Sequence, residues 1–82
     1  MSLWTVDTWT VHVGHEQAFI AALRSLMPET IPVFRDLEEE NRYWCPRRWD
    51  DSRELHAWHA EIESELDGLV KEHATHVMES IT

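Results

Sequence analysis

The chain has 82 residues, of which 16 are acidic and 7 basic, giving a formal net charge of −9. A phosphate backbone would repel so acidic a protein, so we do not expect nucleic-acid binding. The single cysteine, Cys45, can form no internal disulfide and supplies no zinc framework. With no signal-peptide pattern and no apolar run long enough to span a membrane, we expect one cytoplasmic domain, residues 1–82, without a membrane partner.

The first segment, Leu3 to Val13, is rich in β-branched and aromatic residues and contains neither glycine nor proline. It predicts a β-strand. Trp4 and Val6 fall on one face, and Trp9 and Val11 on the other. A strand with large apolar side chains on both faces is typical of a sheet that is covered on both sides.

The next segments predict a helix and a hairpin. Apolar residues recur at helical spacing from His15 to Met27, and Pro28 stops the helix. We interpret this apolar stripe as packing against the sheet rather than as a cofactor-facing surface. A short strand over Pro32 to Leu37, an acidic turn, and an alternating strand over Arg42 to Asp50 follow.

The last third predicts a second helix and a final strand. The helix begins at Asp51 or Ser52, both good N-terminal caps, and its apolar period continues to Glu72, with Gly68 marking a bend. Thr75 to Thr82 alternates and predicts the last strand.

This order, β-α-β-β-α-β, predicts a ferredoxin-like α+β fold: a four-stranded antiparallel sheet with both helices on one face. The other face would then expose a large apolar surface in a monomer. We therefore expect a homodimer whose sheets pack face to face.

The segment RYWCPRRWDDSRELHAWHA, residues 42–60, resembles the strand and helix of the antibiotic biosynthesis monooxygenase domain family. That family belongs to the dimeric α+β barrel superfamily. The resemblance is best over Val33 to Ala60, fair over Trp4 to Leu26 and poor after Ile62. It implies a dimeric barrel with a pocket between the sheet and the helices of each subunit.

The resemblance also implies a chemistry. Members of the family oxidise aromatic substrates without a cofactor: an electron-rich phenol or hydroquinone is deprotonated, and its carbanion reacts with oxygen. The protein supplies an apolar cavity, a base and a hydrogen-bond donor for the oxyanion. Trp58 matches the family's helix tryptophan and would wall the cavity, while Asp7 or a histidine, His59 above all, would be the base. The expected substrate-binding side chains are Tyr43, Trp44, Trp49 and His56, with His12 as a further candidate base.

Two structural interpretations stay open beside this one. Trp58 is also the kind of residue that anchors a helix in a core. Asp7 could be paired with an arginine such as Arg35 rather than being catalytic. Haem degradation is less well supported, because the asparagine of that branch falls at Asp7 and its axial histidine near Gly68.

The histidines raise a metal hypothesis that the spacing does not support. His56 and His59 are three residues apart, as are His73 and His76, but no third ligand stands at motif spacing. We therefore expect histidines that face solvent, no metal and no cofactor. The competing hypothesis for function is a non-catalytic ligand-binding or structural homodimer, which a solidly packed interior around Trp58 would favour.

Overall fold

The computed structural model describes residues 2–82, and within them the predicted order β-α-β-β-α-β is confirmed. The elements are β1 Ser2–Val11, α1 Glu16–Leu26, β2 Phe34–Arg35, β3 Arg42–Trp49, α2 Ser52–Glu65 and β4 Val70–Ser80. The strands form one sheet in the order β2-β3-β1-β4, with antiparallel pairing throughout.

Strand β1 lies at the centre and sets the register of its neighbours. Asp7 stands opposite Cys45 of β3 on one side and opposite Thr75 of β4 on the other. Residues directly opposite each other in an antiparallel pair project from the same face. These three side chains therefore lie side by side on one face of the sheet.

The helices cover this same face and form the core with it. Phe19 and Leu23 of α1 are buried, as are Leu55, Trp58 and Ile62 of α2. Each such side chain contributes about 1.5–3 kcal/mol by leaving water. The main buried partners on the sheet are Trp9, Val11, Tyr43, Cys45 and Trp49.

Helix α2 begins where the sequence predicts but ends earlier. Asp51 is the N-cap, and its side chain accepts a hydrogen bond of 2.7 Å from the backbone N–H of Arg53. The predicted continuation to Glu72 is wrong, because the helix ends at Glu65. Gly68, at φ 82°, takes a left-handed conformation that ends the helical path instead of bending it.

The lengths of β2 and β4 also differ from prediction. The chain turns directly into β4 at Val70, five residues before the predicted start at Thr75. Strand β2 is only Phe34–Arg35, opposite Trp44 and Tyr43 of β3. Pro46 lies beyond that short pairing, so its missing N–H leaves no hydrogen bond with β2 unmade.

The opposite face of the sheet carries no helix within residues 2–82. Its side chains include Trp4, Val6 and Trp44, all partly exposed, together with the more exposed Phe34 and Met78. Large apolar side chains on both faces of β1 are therefore confirmed. In the same residue range, neither helix has the length and apolar character needed to cross a membrane.

Candidate active site

On the helix-facing side of the sheet, several polar side chains contact Asp7, whose side chain is fully buried in the middle of β1. Its Oδ1 lies 3.0 Å from Nε2 of His59 and 2.9 Å from Nε2 of His73. The Thr75 hydroxyl donates a third hydrogen bond to the same oxygen. The other oxygen, Oδ2, is buried and has no hydrogen-bond partner within residues 2–82.

Strand register and helix position bring these four residues together. In β4, Thr75 stands opposite Asp7 and His73 stands opposite Trp9, so period-two alternation places both side chains beneath α2. His59 follows the buried Trp58 on α2 and projects toward the same carboxylate. The cluster thus joins residues 52 and 66 positions apart in the chain.

The contacts keep Asp7 ionised despite its burial. Burial alone would raise the pKa of Asp7, but hydrogen bonds from His73 and Thr75, with the charge and hydrogen bond of His59, bring the pKa below its usual value of 3.8. A carboxylate only accepts hydrogen bonds, so both Nε2 atoms donate to it. Because Nε2 of each imidazole is engaged with Asp7, Nδ1 is the ring nitrogen that remains available for proton transfer. This is the arrangement of a carboxylate-oriented histidine base.

Tryptophan rings pack against both histidines and limit their movement. The Trp9 ring stacks on His73, with centroids 5.3 Å apart and planes 18° apart. The Trp58 ring lies 5.2 Å from that of His59 and 5.3 Å from that of Trp49. The two imidazoles are therefore held in place on the side facing the core.

Three buried donors near these rings have no hydrogen-bond partner within residues 2–82: Nε1 of Trp9, Nε1 of Trp58 and Nη1 of Arg47. The Arg47 guanidinium lies over Trp49 at 4.0 Å and over Trp58 at 4.9 Å, and burial lowers the pKa of Arg47. Buried donors almost always have a partner in native proteins. These donors can therefore serve an acceptor that arrives with a ligand or with water.

The cavities around the sheet, among residues 2–82, include the following three. One of about 360 Å³ borders the cluster, between the end of α2 and β4, and is lined in part by Trp9 and His73. A second of about 390 Å³ lies between α1 and β2, and a third of about 440 Å³ lies on the helix-free face. Neither Asp7 nor Trp58 lines any of these three, and Trp58 is only 6% exposed.

The structure brings together some of the predicted site residues and separates others. Asp7, His59, Trp58 and Trp49 form one neighbourhood, in which Trp49 donates a 2.8 Å hydrogen bond to Thr5. The other predicted side chains lie elsewhere: Tyr43 lines the cavity beside α1, Trp44 lies on the helix-free face with its Nε1 donating to Asp36, and His56 is exposed.

Two sequence-based interpretations need correction. Asp7 is not paired with Arg35, because its contacts are the two histidines and Thr75. The expectation of solvent-facing histidines holds for His56 but not for His59 and His73, whose side chains are 19% and 21% exposed and contact Asp7.

Two members of the cluster were missed as site residues: His73 and Thr75. His73 precedes the segment that we predicted as the last strand, because we extended the helical period through Glu72. Thr75 is the first residue of that predicted strand. The available signal was that His73 falls in step with the alternating pattern of the predicted strand, which Thr75 begins. Their position opposite Asp7 and Trp9, however, depends on the strand register, which only the folded sheet displays.

Cys45 allows a test of burial at the centre of the sheet. The thiol is fully buried, and burial followed by the negative charge of Asp7 raises the pKa of Cys45 to about 12. Because the thiolate is the reactive form, we expect native protein to react with a thiol reagent at about pH 8 at least about a hundredfold more slowly than unfolded protein. Rapid labelling of the native chain, followed by absorbance of the released chromophore, would contradict this burial.

Comparisons with known proteins identify the fold. No known family's sequence profile matches the chain, and no curated protein matches it in sequence. Solved structures do match. A protein from Pseudomonas aeruginosa aligns with a TM-score of 0.79 and 16% identity, over 99% of this chain and 95% of that one.

Two further matches carry functional names. An antibiotic biosynthesis monooxygenase aligns with a TM-score of 0.78 and 12% identity, over 98% of this chain and 99% of that one. A mutant of SnoaB, a cofactor-independent oxygenase from Streptomyces nogalater, aligns with a TM-score of 0.75 and 15% identity, over 99% of this chain and 94% of that one. The chain therefore has the fold of the antibiotic biosynthesis monooxygenases, as its sequence predicted; at these identities the likeness establishes the fold alone.

Proposed function

We propose that this protein is a cofactor-independent monooxygenase that oxidises a small aromatic or quinol-like substrate. The observation that carries the proposal is the buried Asp7 carboxylate with both His59 and His73 hydrogen-bonded to it. A fold shared with a protein named as a cofactor-independent oxygenase supports the reaction class. Fold alone does not specify chemistry, so the proposal depends on the cluster.

In the proposed reaction a histidine removes the proton of the substrate hydroxyl, which gives an anion with carbanion character at the ring carbon that will be oxidised. His59 or His73 accepts this proton at Nδ1, and the Asp7 carboxylate stabilises the imidazolium that forms. The substrate carbanion reduces O₂ and becomes a hydroperoxide after the proton returns. Loss of water then leaves a carbonyl, so one oxygen atom enters the product and the other leaves as water. The substrate supplies all four electrons, and neither flavin nor metal takes part.

The unpaired donors of the same neighbourhood would bind the negative charge that develops on the substrate oxygen. Trp58 Nε1 and Arg47 Nη1 are the candidates, since both atoms are buried and lack partners within residues 2–82. Donors that are already desolvated and fixed stabilise an oxyanion strongly. Substrate would enter from the 360 Å³ cavity that His73 and Trp9 line. Its approach to Asp7 and Trp58 requires side-chain movement, because both are enclosed.

The proposal includes a homodimer formed through the helix-free face of the sheet. Trp4, Val6 and Trp44 are partly exposed there, and Phe34 and Met78 remain 54% and 45% exposed. A contiguous apolar face of this kind is typical of an interface. We also propose that the protein acts in the cytoplasm and, given the net charge of −9, that it does not bind nucleic acid.

The direct test is oxygen transfer in the presence of a strong chelator. Wild-type protein is incubated with a panel of phenols and naphthohydroquinones under isotopically labelled O₂, and the products are measured by mass spectrometry. We expect a product that gains one labelled oxygen and loses two hydrogens, at a rate that His59→Gln lowers at least about a hundredfold. The control is His15→Gln, an exposed histidine in the turn before α1. Product formation at the wild-type rate by both His59→Gln and His73→Gln would contradict the proposed histidine base.

A non-catalytic dimer remains the second candidate, because the interior around Trp58 is closely packed. Trp58 is 6% exposed and lies between Trp49 and His59. This hypothesis predicts no labelled product with any member of the panel. It also predicts that any quinol that binds is oxidised no faster than in the absence of the protein.

A further inference from the structure

The cluster at Asp7 has a second property that the proposed oxidation does not use. Asp7 Oδ1, His59 Nε2 and His73 Nε2 all lie within 4.8 Å of one another. Two imidazole nitrogens and one carboxylate oxygen are the donors that borderline divalent ions such as Zn²⁺, Co²⁺ and Fe²⁺ prefer. We propose that these three atoms bind one divalent transition-metal ion per chain.

The distances within the cluster match those between ligands that share an ion. Oδ1 lies 3.0 Å from one Nε2 and 2.9 Å from the other. Adjacent ligands that are each about 2.1 Å from a metal ion stand about 3.0 Å apart in octahedral and about 3.4 Å apart in tetrahedral geometry. Two of the three ligand–ligand distances therefore fit one coordination shell, and the third, between the two Nε2 atoms, is within 4.8 Å. Both histidines direct the same nitrogen, Nε2, to the centre.

The surroundings favour a bound cation and leave room for water on it. The Asp7 carboxylate is fully buried, and its Oδ2 has no partner within residues 2–82, so its negative charge is incompletely compensated. The two imidazoles are only partly exposed, at 19% and 21% of their side chains. The 360 Å³ cavity that His73 lines gives the ion an entry path and space for remaining ligands. Three protein ligands with open positions are typical of a non-structural metal site.

Preorganisation distinguishes this cluster from the other histidines. Stacking on Trp9 holds the ring of His73, and the Trp58 ring packs beside His59. His12 and His15, whose ring centroids are 6.1 Å apart, lie in an exposed turn and lack a carboxylate in the group. Side chains that are already held in place lose less conformational entropy when they bind a metal ion.

Metal binding and the proposed base exclude each other. Both Nε2 atoms donate hydrogen bonds to Asp7 in the metal-free protein, and a bound ion takes the place of these N–H hydrogens. The metal-bound histidines are then fixed to the ion and cannot orient on Asp7 as bases. The metal proposal does not rest on the proposed oxidation, and its test requires no substrate.

The test uses Co²⁺ alone as a spectroscopic probe on the whole chain, with Zn²⁺ as competitor. We expect visible Co²⁺ absorption that saturates at one ion per chain and disappears on adding Zn²⁺. His59→Gln and His73→Gln should each weaken Co²⁺ affinity at least about a hundredfold, since even supporting residues of metal sites contribute ten- to a hundredfold. The matched control is His56→Gln, one turn earlier on the exposed side of α2, which should retain wild-type affinity.

A second measurement needs no variant of the cluster. In two-dimensional amide NMR of wild-type protein, Zn²⁺ should shift the Thr75 backbone amide and the Trp9 indole, while the Trp44 indole on the helix-free face stays unchanged. Absence of Co²⁺ absorption would overturn the proposal, as would affinity that His59→Gln leaves intact. Loss of binding in His15→Gln would instead assign the ion to the exposed turn and would equally overturn it.

Discussion

Replacing Asp7 by asparagine is expected to lower kcat/KM at least about a hundredfold and up to about ten-thousandfold. Asparagine has nearly the same shape, so the core around it should pack as before. It lacks the negative charge that accepts hydrogen bonds from both Nε2 atoms and that would stabilise a histidinium formed during the reaction. Its amide N–H₂ group would also face a histidine donor. The measurement is labelled-oxygen incorporation at saturating and limiting substrate.

The same variant has an expected effect on folding that is separate from activity. Hydrogen bonds to a charged group contribute about 1.5–3 kcal/mol each, so Asp7→Asn should destabilise the chain by a few kcal/mol in chemical unfolding. Because folding lowers the pKa of Asp7 below 3.8, its stabilising contribution is present above this value and is lost as pH falls through the folded-state pKa. The difference between wild type and variant should therefore shrink below pH 3.8.

The control for Asp7→Asn is Asp50→Asn. Asp50 is a surface carboxylate, 89% exposed and 3.9 Å from Arg48, so its loss should change stability by well under about 1 kcal/mol. Wild-type activity in Asp7→Asn would show that the cluster is structural. Equal losses of activity in both variants would show that the effect does not come from the cluster.

Placing a glutamate at Val6 is expected to convert the proposed homodimer into monomers. Val6 lies near the middle of the helix-free face, opposite Pro46 of β3 and His76 of β4. In a symmetric interface the substitution places two carboxylates in buried surroundings, each costing several kcal/mol without a partner. Dimer affinity should fall at least about a thousandfold. Sedimentation at micromolar concentration measures it.

The monomer should remain folded, because the core lies on the other side of the sheet. Circular dichroism of Val6→Glu should therefore match wild type, and Val13→Glu, at a site 83% exposed after β1, should remain dimeric. If wild-type protein sedimented as a monomer at micromolar concentration, the homodimer proposal would be wrong. If Val6→Glu remained dimeric, the interface would have to lie on another surface of the protein.

The residues of β1 and α1 show how much of the fold local pattern specifies. Alternation over Leu3 to Val13 predicted which side chains of β1 share a face, and the structure places Thr5, Asp7, Trp9 and Val11 together under the helices. The helical period and Pro28 predicted α1 to within one residue at each end. These patterns arise from interactions between residues that are close together in the chain, so the sequence alone is enough to predict them.

The end of α2 shows where local pattern fails. Residues 66–72 continue an apolar helical period, yet the chain leaves the helix at Glu65 and enters β4 at Val70. Backbone pairing with β1, from Val11 opposite Val70 to Ser2 opposite Ser80, outweighs the local preference. Because this boundary was misplaced, His73 was not assigned to the sheet, and Thr75 was placed at the start of the strand instead of in its interior.

The sequence by itself determined the element order, the ferredoxin-like architecture with an antibiotic biosynthesis monooxygenase-like fold, the apolar second face of the sheet, and Asp7, His59 and Trp58 as candidates. Tertiary structure alone decided that His59 and His73 meet at one oxygen of Asp7. It also decided that Trp44 and His56 lie away from that carboxylate. The physical reason is that elements follow from contacts between near neighbours in the chain. A site depends on strand register and helix docking, which join residues more than fifty positions apart.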